Sequence, residues 1–350
     1  MKAAVLEKLE KLVVKEVATP QVDDDSVLLK VRACAVCGSD LRIYRTGNSR
    51  VKLPQIIGHE ISGEIVEVGK NVTRVQVGDK VALGADVPCG ECVFCEEGIG
   101  NVCQSNHAIG YQFQGGFAQY MVLNKMTVLY GPIHKIPDDG VFAEYTLSEP
   151  LACILNAMEN SPVTIGDTVT IIGCGPIGCM MVPVVKRMGA GKVICVERNA
   201  ERQRIALENG ADIIVDPSGQ DMREEVLKET SGMGADVVLT ATPVPQMQQK
   251  ALTMVRNRGR VNFFGGLPAN NCEVVLDTNL IHYKELQICG THGSLPRHHR
   301  KAVHLISEGI INVKPFITHY YPLSEIQKAF DVAASRQCMR VVVEPWEEKI

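Results

Sequence analysis

Four cysteines lie close together in the run CGECVFCEEGIGNVC. We call this segment the four-cysteine loop, and its cysteines are Cys89, Cys92, Cys95 and Cys103. Four thiolates from one short segment satisfy a tetrahedral zinc ion completely and leave no position for a substrate, so the spacing predicts a structural zinc site. Two other interpretations stay open. The thiols could be independent, although a turn-rich loop gives little reason to bury cysteine, or they could hold an iron–sulfur cluster, although nothing else indicates electron transfer.

A second set of polar residues is dispersed along the chain. It comprises Cys37, Ser39 and Asp40 in CGSD, His59 and Glu60 in GHE, and Glu149 in SEPLA. Each is ambiguous alone, because a single cysteine is usually core and SEP also fits a helix start with proline in the first turn. Together, one thiolate, one imidazole and two carboxylates suit an open catalytic zinc site with room for water or substrate. Asp40 would accept a hydrogen bond from the ring N–H of His59 and fix its tautomer.

A third motif, GCGPIG, follows the apolar run TVTII and precedes a helical pattern. We call it the glycine-rich turn, and its residues include Gly173, Gly175, Pro176, Ile177 and Gly178. In a dinucleotide site, the first glycine permits the tight turn, the second lets the backbone approach a pyrophosphate at the helix N-terminus, and the third allows close helix–strand packing. A turn with a purely structural role is the alternative.

An acidic residue should follow the glycine-rich turn by about 20 positions and bind the ribose hydroxyls. Glu197 lies 19 positions after Gly178 and ends the apolar run KVICV. The sequence therefore predicts NAD as the coenzyme. Arg198 is a rival, because its guanidinium could meet the 2′-phosphate of NADP.

The surrounding elements divide the chain into two parts. Residues 1–145 contain short β-type runs between turn signals, which indicates a mainly antiparallel domain. From Val163, apolar strands alternate with helical segments, which predicts βαβ units and a parallel sheet covered on both faces. The tail from Arg297 contains the helical patterns HRKAVHLISEGI and YPLSEIQKAFDVAAS and a final β-type run, MRVVVE. The fold class is thus α/β.

Composition excludes several functional classes. The chain has 36 basic and 40 acidic side chains and a net charge of −4, without the basic excess typical of nucleic-acid binding, so we expect neither a nucleic-acid partner nor a zinc-ribbon DNA-binding role. No apolar stretch reaches the roughly 20 residues of a membrane helix, and the N-terminal charges do not fit a signal peptide. We expect a cytoplasmic protein without a membrane partner. Thirteen cysteines are better explained by metal than by disulfides in that compartment.

In their order and over nearly the whole chain, the four-cysteine loop, CGSD, GHE, SEPLA and GCGPIG resemble the zinc-dependent medium-chain dehydrogenase family. SEPLA and the carboxylate-rich metal set resemble its polyol branch, the sorbitol (iditol) and sugar-alcohol-phosphate dehydrogenases. The resemblance implies a GroES-like catalytic domain over residues 1–150, completed by 293–350, and a six-stranded Rossmann domain over residues 151–292. It also implies two zinc ions per chain, NAD, and a homodimer or homotetramer paired partly through the edge strand LQICG.

The same resemblance implies residue roles. Cys37, His59 and Glu60 would hold the catalytic zinc, with Glu149 a fourth ligand or a hydrogen-bond partner of the zinc-bound water. Cys153, a rival ligand by spacing, matches a family position beside the nicotinamide. Ser39 would take the hydroxyl proton of the substrate.

Two basic features depart from, or add to, this pattern. Arg42 stands where many relatives have a histidine that passes the proton outward, and arginine cannot act as a base at neutral pH. It could favour an anionic substrate group, or it could be a solvated side chain. The run Arg297-His298-His299-Arg300-Lys301 is typical of an exposed helix start, with an anion-binding rim as the alternative.

The sequence therefore predicts an enzyme that oxidises the secondary alcohol of a polyol or polyol phosphate to a ketone, giving a ketose, with NAD. The alternatives are a threonine 3-dehydrogenase type of alcohol oxidation, or a non-catalytic protein that binds zinc and a dinucleotide. The complete set of Cys37, Ser39, His59, Glu60 and Glu149 argues against the last, since a binder needs no open metal site.

Overall fold

The computed structural model describes residues 1–346. It contains two compact units, of which the first combines Met1–Cys153 with the chain from Gly293 onward and the second is Ile154–His292. Within residues 1–346, no helix has the length and apolar character needed to cross a bilayer.

The strands of the described chain are β1 (Lys2–Lys8), β2 (Lys11–Glu16), β3 (Val27–Ala35), β4 (Glu60–Val68), β5 (Lys80–Leu83), β6 (Asp86–Val87), β7 (His107–Ala108), β8 (Tyr120–Leu123), β9 (Ile133–Lys135), β10 (Thr168–Ile172), β11 (Lys192–Val196), β12 (Ile213–Val215), β13 (Ala235–Thr240), β14 (Val255–Phe263), β15 (Gln287–Gly290), β16 (Ile317–Pro322) and β17 (Arg340–Glu344).

The α-helices are α1 (Gly38–Thr46), α2 (Val93–Glu96), α3 (Lys125–Tyr130), α4 (Phe142–Tyr145), α5 (Ser148–Asn160), α6 (Pro176–Met188), α7 (Ala200–Glu208), α8 (Met222–Glu229), α9 (Pro245–Met254), α10 (Thr278–Tyr283), α11 (Pro296–Ser307) and α12 (Ile326–Ser335). Short 3₁₀ turns span Gly100–Val102, Lys314–Phe316 and Leu323–Glu325.

The first unit is built on a mixed sheet in the order β16-β17-β3-β4-β5-β9, with β8 also paired to β3. Only the β16–β17 pairing in this sheet is parallel, and the other pairings are antiparallel. β3 is buried along nearly its whole length because it packs in the centre of the sheet and its apolar residues are covered on both faces. Phe117 and Phe330 stack edge to face in this core.

The second unit contains a parallel sheet in the order β12-β11-β10-β13-β14-β15. Helices α6 to α10 connect its strands, as expected for right-handed βαβ crossovers. The strand order reverses next to β10, the first strand, and the doubly wound folds that bind dinucleotides have this order. The predicted α/β fold class, with a mainly antiparallel part and a doubly wound parallel part, is confirmed.

The tail differs from its sequence pattern at one point. YPLSEIQKAFDVAAS predicts one helix, but Tyr321 and Pro322 close strand β16, a 3₁₀ turn follows, and α12 begins only at Ile326. Tyr321 is extended because β16 pairs with β17. The helical periodicity of the neighbouring residues does not indicate this long-range pairing. Both β16 and β17 join the sheet of the first unit.

Candidate functional site

The sulfur atoms of the four-cysteine loop converge. All four Sγ atoms lie within 4.8 Å of one another, with Cys92 to Cys95 at 3.5 Å, Cys92 to Cys103 at 3.8 Å and Cys89 to Cys95 at 3.9 Å. Sulfurs bound tetrahedrally at about 2.3 Å from zinc would be about 3.8 Å apart, so the geometry fits this ion. Helix α2 separates Cys92 from Cys95 by one turn, which directs both thiols to the same point.

Backbone N–H groups favour thiolates in this loop. The N–H of Cys89 donates to Cys103 Sγ at 3.3 Å. The pKa of Cys92 is lowered to about 6, chiefly by a hydrogen bond from the backbone of Gln104. Burial opposes this effect, and further hydrogen bonds from Cys95 and Cys89 add to it. Deprotonated thiols are the species that bind zinc, and Cys92 is therefore ready to bind. Burial raises the pKa of Cys95 to about 12, so a metal ion would have to displace the proton of this thiol.

A second potential metal group forms in the first unit from Cys37, His59 and Glu60, which we call the Cys37 cluster. One ligand atom from each lies within 4.8 Å of the other two. Cys37 caps the N-terminus of α1, while His59 and Glu60 stand where β4 begins. His59 is 5% exposed and Glu60 is fully buried. The antiparallel pairing of β4 with β3 brings the two distant sequence runs together.

Asp40 orients the imidazole of the Cys37 cluster. Its Oδ1 lies 3.3 Å from His59 Nδ1, and its Oδ2 accepts a 2.9 Å hydrogen bond from the backbone N–H of Cys37. Nδ1 therefore faces a carboxylate, and Nε2 is the nitrogen that a metal ion could use. Ser39 Oγ lies 3.3 Å from this Nε2, so a hydroxyl group adjoins the position of the metal.

The pKa of Cys37 is set by opposing effects. Burial raises it, but the hydrogen bond and positive charge of His59, together with the charge of Arg340, outweigh burial and lower the pKa of Cys37 to about 5. In the same cluster, burial raises the pKa of Glu60 well above its usual value, against the attraction of Arg340. A dication would compensate the negative charge that this buried group would carry.

Arg340 was not among the predicted site residues. It opens β17, is 4% exposed, and places Nη2 2.8 Å from Glu60 Oε1. Among the described residues, neither carboxylate oxygen of Glu60 has a hydrogen-bond partner, and only Oε1 faces Arg340, so Oε2 is the oxygen more open to a metal. The one sequence signal of Arg340 is its position at the start of an otherwise apolar strand. This signal does not point to Glu60, because only the pairing of β17 with β3 brings the two residues together.

Glu149 lies in the first turn of α5 and is 6% exposed, but it is outside the Cys37 cluster within the described residues. Burial raises the pKa of Glu149 to about 7, while His59 lowers it in part. Cys153 Sγ donates to Glu149 Oε1 at 3.5 Å, and burial raises the pKa of the Cys153 thiol. These two predicted site residues therefore contact each other on one face of the helix, four positions apart.

Tyr111 is a second residue that the sequence did not single out. Its ring centroid lies 5.9 Å from that of His59. The guanidinium of Arg50 stacks over the same ring at 4.8 Å and donates to the backbone oxygen of Asn106. An aromatic wall beside the metal ligands is a feature of substrate pockets, but an isolated tyrosine in a loop carries no recognisable spacing signal.

The glycine-rich turn has the backbone that its motif predicts. Gly173 has a φ of +91°, and Gly175 caps the N-terminus of α6 with Pro176 at the first helical position. A Cβ atom on Gly178 would collide with the carbonyl oxygen of Gly173. Beyond its chain neighbours and its own helix, the only atom of the described residues within 4 Å of a Cβ on Gly175 would be Arg202 Nη1, at 3.8 Å, so space for a phosphate is open at the helix start.

Glu197 follows β11 and closes the glycine-rich turn. It is 8% exposed, and its carboxylate accepts hydrogen bonds of 2.9 Å each from the backbone N–H groups of Cys174, Arg198 and Asn199. Arg198 is exposed. Arg202, one turn into α7, is a cation beside the turn that sequence reasoning did not select.

The structure places Arg42 and the basic run Arg297–Lys301 in different environments. Arg42 is exposed on α1, as expected for a solvated side chain. The prediction of an exposed helix start at Arg297–Lys301 is wrong for its histidines, because His298 is 4% exposed and His299 is fully buried against β9 and α5. Arg297 donates to the backbone oxygen of Gly98 in the four-cysteine loop at 2.8 Å. The amphipathic α11 points the two histidines inward, whereas Arg297 is exposed.

Comparison with known proteins gives two family matches. Residues 23–138 match the alcohol dehydrogenase GroES-like domain, and residues 176–308 match the zinc-binding dehydrogenase domain. The chain is 35% identical to a D-arabitol-phosphate dehydrogenase of Enterococcus avium, over 94% of this chain and 92% of the relative. It is 36% identical to an L-threonine 3-dehydrogenase of Bacillus subtilis, over 95% of each chain.

A solved structure agrees with both matches. A zinc-binding dehydrogenase of Sinorhizobium meliloti bound to NADP superposes with a TM-score of 0.92 at 31% identity, covering 98% of this chain and 99% of that one. Together with the metal-ligand sets and the glycine-rich turn, these similarities establish that the chain belongs to the zinc-dependent medium-chain alcohol dehydrogenase family and is an oxidoreductase.

Proposed function

We propose that this enzyme oxidises a secondary alcohol of a polyol or polyol phosphate to the ketone, giving a ketose, with NAD as hydride acceptor. The observation that carries the proposal is the convergence of Cys37, His59 and Glu60 within 4.8 Å, with a serine hydroxyl 3.3 Å from the histidine. We assign the first unit as the GroES-like catalytic domain and the second as the Rossmann domain.

The donor sets fit the proposed cofactors. The Cys37 cluster would hold a catalytic zinc with Glu149 close by, the four-cysteine loop would hold a structural zinc, and the glycine-rich turn with Glu197 and Arg202 would hold the dinucleotide. A zinc ion at the Cys37 cluster supplies a Lewis acid that increases the acidity of an alcohol hydroxyl, and the nicotinamide supplies the hydride acceptor.

The chain's own residues hold and move the proton. Asp40 Oδ1 lies 3.3 Å from His59 Nδ1 and would favour the tautomer with its proton on Nδ1, in which the imidazole is a ligand and not the base. Ser39 Oγ would accept the hydroxyl proton of the substrate and pass its own proton to solvent water, because Ser39 is only half-buried, so its charge stays unchanged. The Tyr111 ring lies beside His59 and would limit the access of water to this position, which suppresses competing reactions.

A carboxylate-rich cluster and similarity to the arabitol-phosphate dehydrogenase support a polyol class of substrate. Similarity to the threonine dehydrogenase favours a second candidate, the oxidation of L-threonine at its hydroxyl-bearing carbon. The discriminating experiment measures kcat/KM with NAD for sorbitol, arabitol, their phosphates and L-threonine, by the absorbance of reduced nicotinamide. Highest kcat/KM for a polyol or its phosphate supports the proposal, highest kcat/KM for threonine favours the second candidate, and no turnover with any of them would contradict both.

We predict two zinc ions per chain with unequal resistance to chelation. Four thiolates form a closed site, whereas the Cys37 cluster includes a carboxylate and keeps an exchangeable position. A chelator should therefore abolish activity before it unfolds the protein, as followed by elemental analysis, turnover and circular dichroism on the same samples. One metal or none in fully active protein would contradict the two-site assignment.

A further inference from the structure

A buried chain of hydrogen bonds crosses the first unit and involves no predicted metal ligand. It begins at His134 on β9, whose Nδ1 lies 2.7 Å from Nδ1 of His299 on α11. His299 Nε2 lies 2.9 Å from Ser148 Oγ, and this hydroxyl donates to the backbone oxygen of Tyr145 at 2.6 Å. His299 and Ser148 are both fully buried. We call these three side chains the His299 chain.

The hydrogen-bond directions in the His299 chain follow from its inner end. Because the Ser148 hydroxyl donates its hydrogen to Tyr145, its oxygen accepts from His299 Nε2–H. His299 Nδ1 is then an acceptor, so His134 must donate from Nδ1–H. Both imidazoles are neutral, since burial lowers the pKa of His299 well below its usual value, and burial with the nearby Arg74 and Arg300 lowers that of His134 to about 4.

The inner end of this chain is also the start of the helix that carries Glu149. Ser148 is the first residue of α5, and its side chain is held from two directions, by His299 and by Tyr145. Glu149 is the next residue. Among the described residues, the side-chain hydrogen bond to its carboxyl comes from Cys153 of the same helix, at 3.5 Å. The orientation of the first helical turn therefore determines where this carboxyl points.

The His299 ring is packed too closely to move by itself. A Cβ atom on Gly84 would lie 3.2 Å from His299 Cδ2 and 2.6 Å from Pro132 Cγ, so a glycine is needed beside the ring. The buried imidazole of His299, the half-buried imidazole of His134 and the buried hydroxyl of Ser148 cost desolvation energy that an apolar packing of the same volume would avoid. Hydrogen-bond networks of this kind hold their side chains in a single geometry.

We propose that His299 is a positioning residue of this enzyme, which acts through Ser148 to hold the first turn of α5 and thereby the carboxyl of Glu149. This inference rests on the proposed function, in which Glu149 serves the metal site. The competing interpretation is that His299 only fills the core. Under that interpretation, its replacement lowers stability without a specific effect on Glu149.

The first experiment compares His299→Leu with His299→Gln and with His304→Gln, a control on the exposed side of the same helix. Leucine removes both hydrogen bonds, and kcat should fall roughly tenfold with little change in KM. Glutamine can donate to Ser148 and accept from His134, so it should restore most of kcat. The His304→Gln control should match the wild type. Equal kcat for leucine and glutamine variants, after correction for the folded fraction, would overturn the proposal.

Hydrogen exchange gives a readout independent of turnover. In His299→Leu, the peptide that contains residues 148–152 should exchange faster, because the first turn of α5 has lost its anchor. Ser148→Ala removes only the hydroxyl and should have the same local effect, so it serves if His299→Leu fails to fold. Unchanged exchange in the folded variant would overturn the proposal.

A double-mutant cycle links the effect to Glu149. If His299 acts through this carboxyl, His299→Leu should not slow the Glu149→Ala enzyme further, whereas a purely structural effect would multiply. Failure of the proposed function would be seen separately, as full activity of Glu149→Ala alone. Equal fold losses in both backgrounds would show that His299 does not act through Glu149.

Discussion

Cys37→Ser should remove nearly all dehydrogenase activity and leave NAD binding close to that of the wild type. The serine hydroxyl is a poor zinc ligand, while the thiol of Cys37 has a pKa lowered to about 5 by His59 and Arg340 against its burial, so it is ready to bind as thiolate. Removing an outer partner of a metal ligand typically costs about 10- to 100-fold. Loss of the ligand itself should therefore lower kcat/KM by at least about 100-fold.

The measurement pairs steady-state turnover with calorimetric titration of NAD. Cys37 belongs to the first compact unit and the glycine-rich turn to the second, so the two readouts should separate. Cys272→Ser is the matched control, because this thiol is exposed and far along the chain from both metal sets. A Cys37→Ser enzyme with turnover near that of the wild type would remove Cys37 from the metal site.

Glu149→Ala belongs to the same test. We expect it to lose most of the activity while NAD binding is retained, because a buried carboxyl with a pKa raised to about 7 by burial adjoins the Cys37 cluster. Undiminished turnover would show that Glu149 is only an acidic residue at a helix start, where a carboxylate is favourable for the helix dipole.

The sequence predicted those parts of the site that depend on local spacing. The four-cysteine loop converges because one helical turn and one 3₁₀ turn separate its thiols, and such short-range geometry follows from the residue intervals. The glycine-rich turn could also be predicted from local sequence. The φ of +91° at Gly173 and the close approach at Gly178 both require a residue without a side chain.

Other parts of the site arise only from long-range pairing. Arg340 reaches Glu60 because β17 pairs with β3, and His299 reaches Ser148 because α11 packs against β9 and the start of α5. Neither contact leaves a periodic signal in the sequence around either partner. The run Arg297–Lys301 was accordingly predicted to be solvated, although the structure buries its two histidines.

The coenzyme should be NAD rather than NADP, and Glu197 should be the residue that selects it. Its carboxylate stands at the end of β11, where ribose hydroxyls bind in doubly wound folds. Two carboxylate oxygens offer about four acceptor positions, and the N–H groups of Cys174, Arg198 and Asn199 occupy three of them. One position remains for a ribose hydroxyl, while a 2′-phosphate would meet the negative charge of the carboxylate.

Like charges brought together in a partly desolvated crevice cost several kcal/mol, which corresponds to a preference of about 100-fold or more for NAD. The test is kcat/KM for NAD and NADP on the wild type, Glu197→Gln and Arg198→Ala. Glutamine at position 197 keeps an oxygen for the N–H of Cys174 but removes the charge. This variant should therefore lose much of the preference for NAD while the glycine-rich turn keeps its conformation. Arg198→Ala should keep it, because Arg198 is exposed.

The rival selector is Arg198, which follows Glu197 directly in the sequence. A guanidinium can pair with a 2′-phosphate in two parallel hydrogen bonds and stack on the adenine, which would offset the repulsion from Glu197. In that case, the wild type would use NADP as well as NAD, and Arg198→Ala would lose NADP turnover selectively. Equal use of both coenzymes by the wild type, or full discrimination in Glu197→Gln, would assign the selection to Arg198 instead of Glu197.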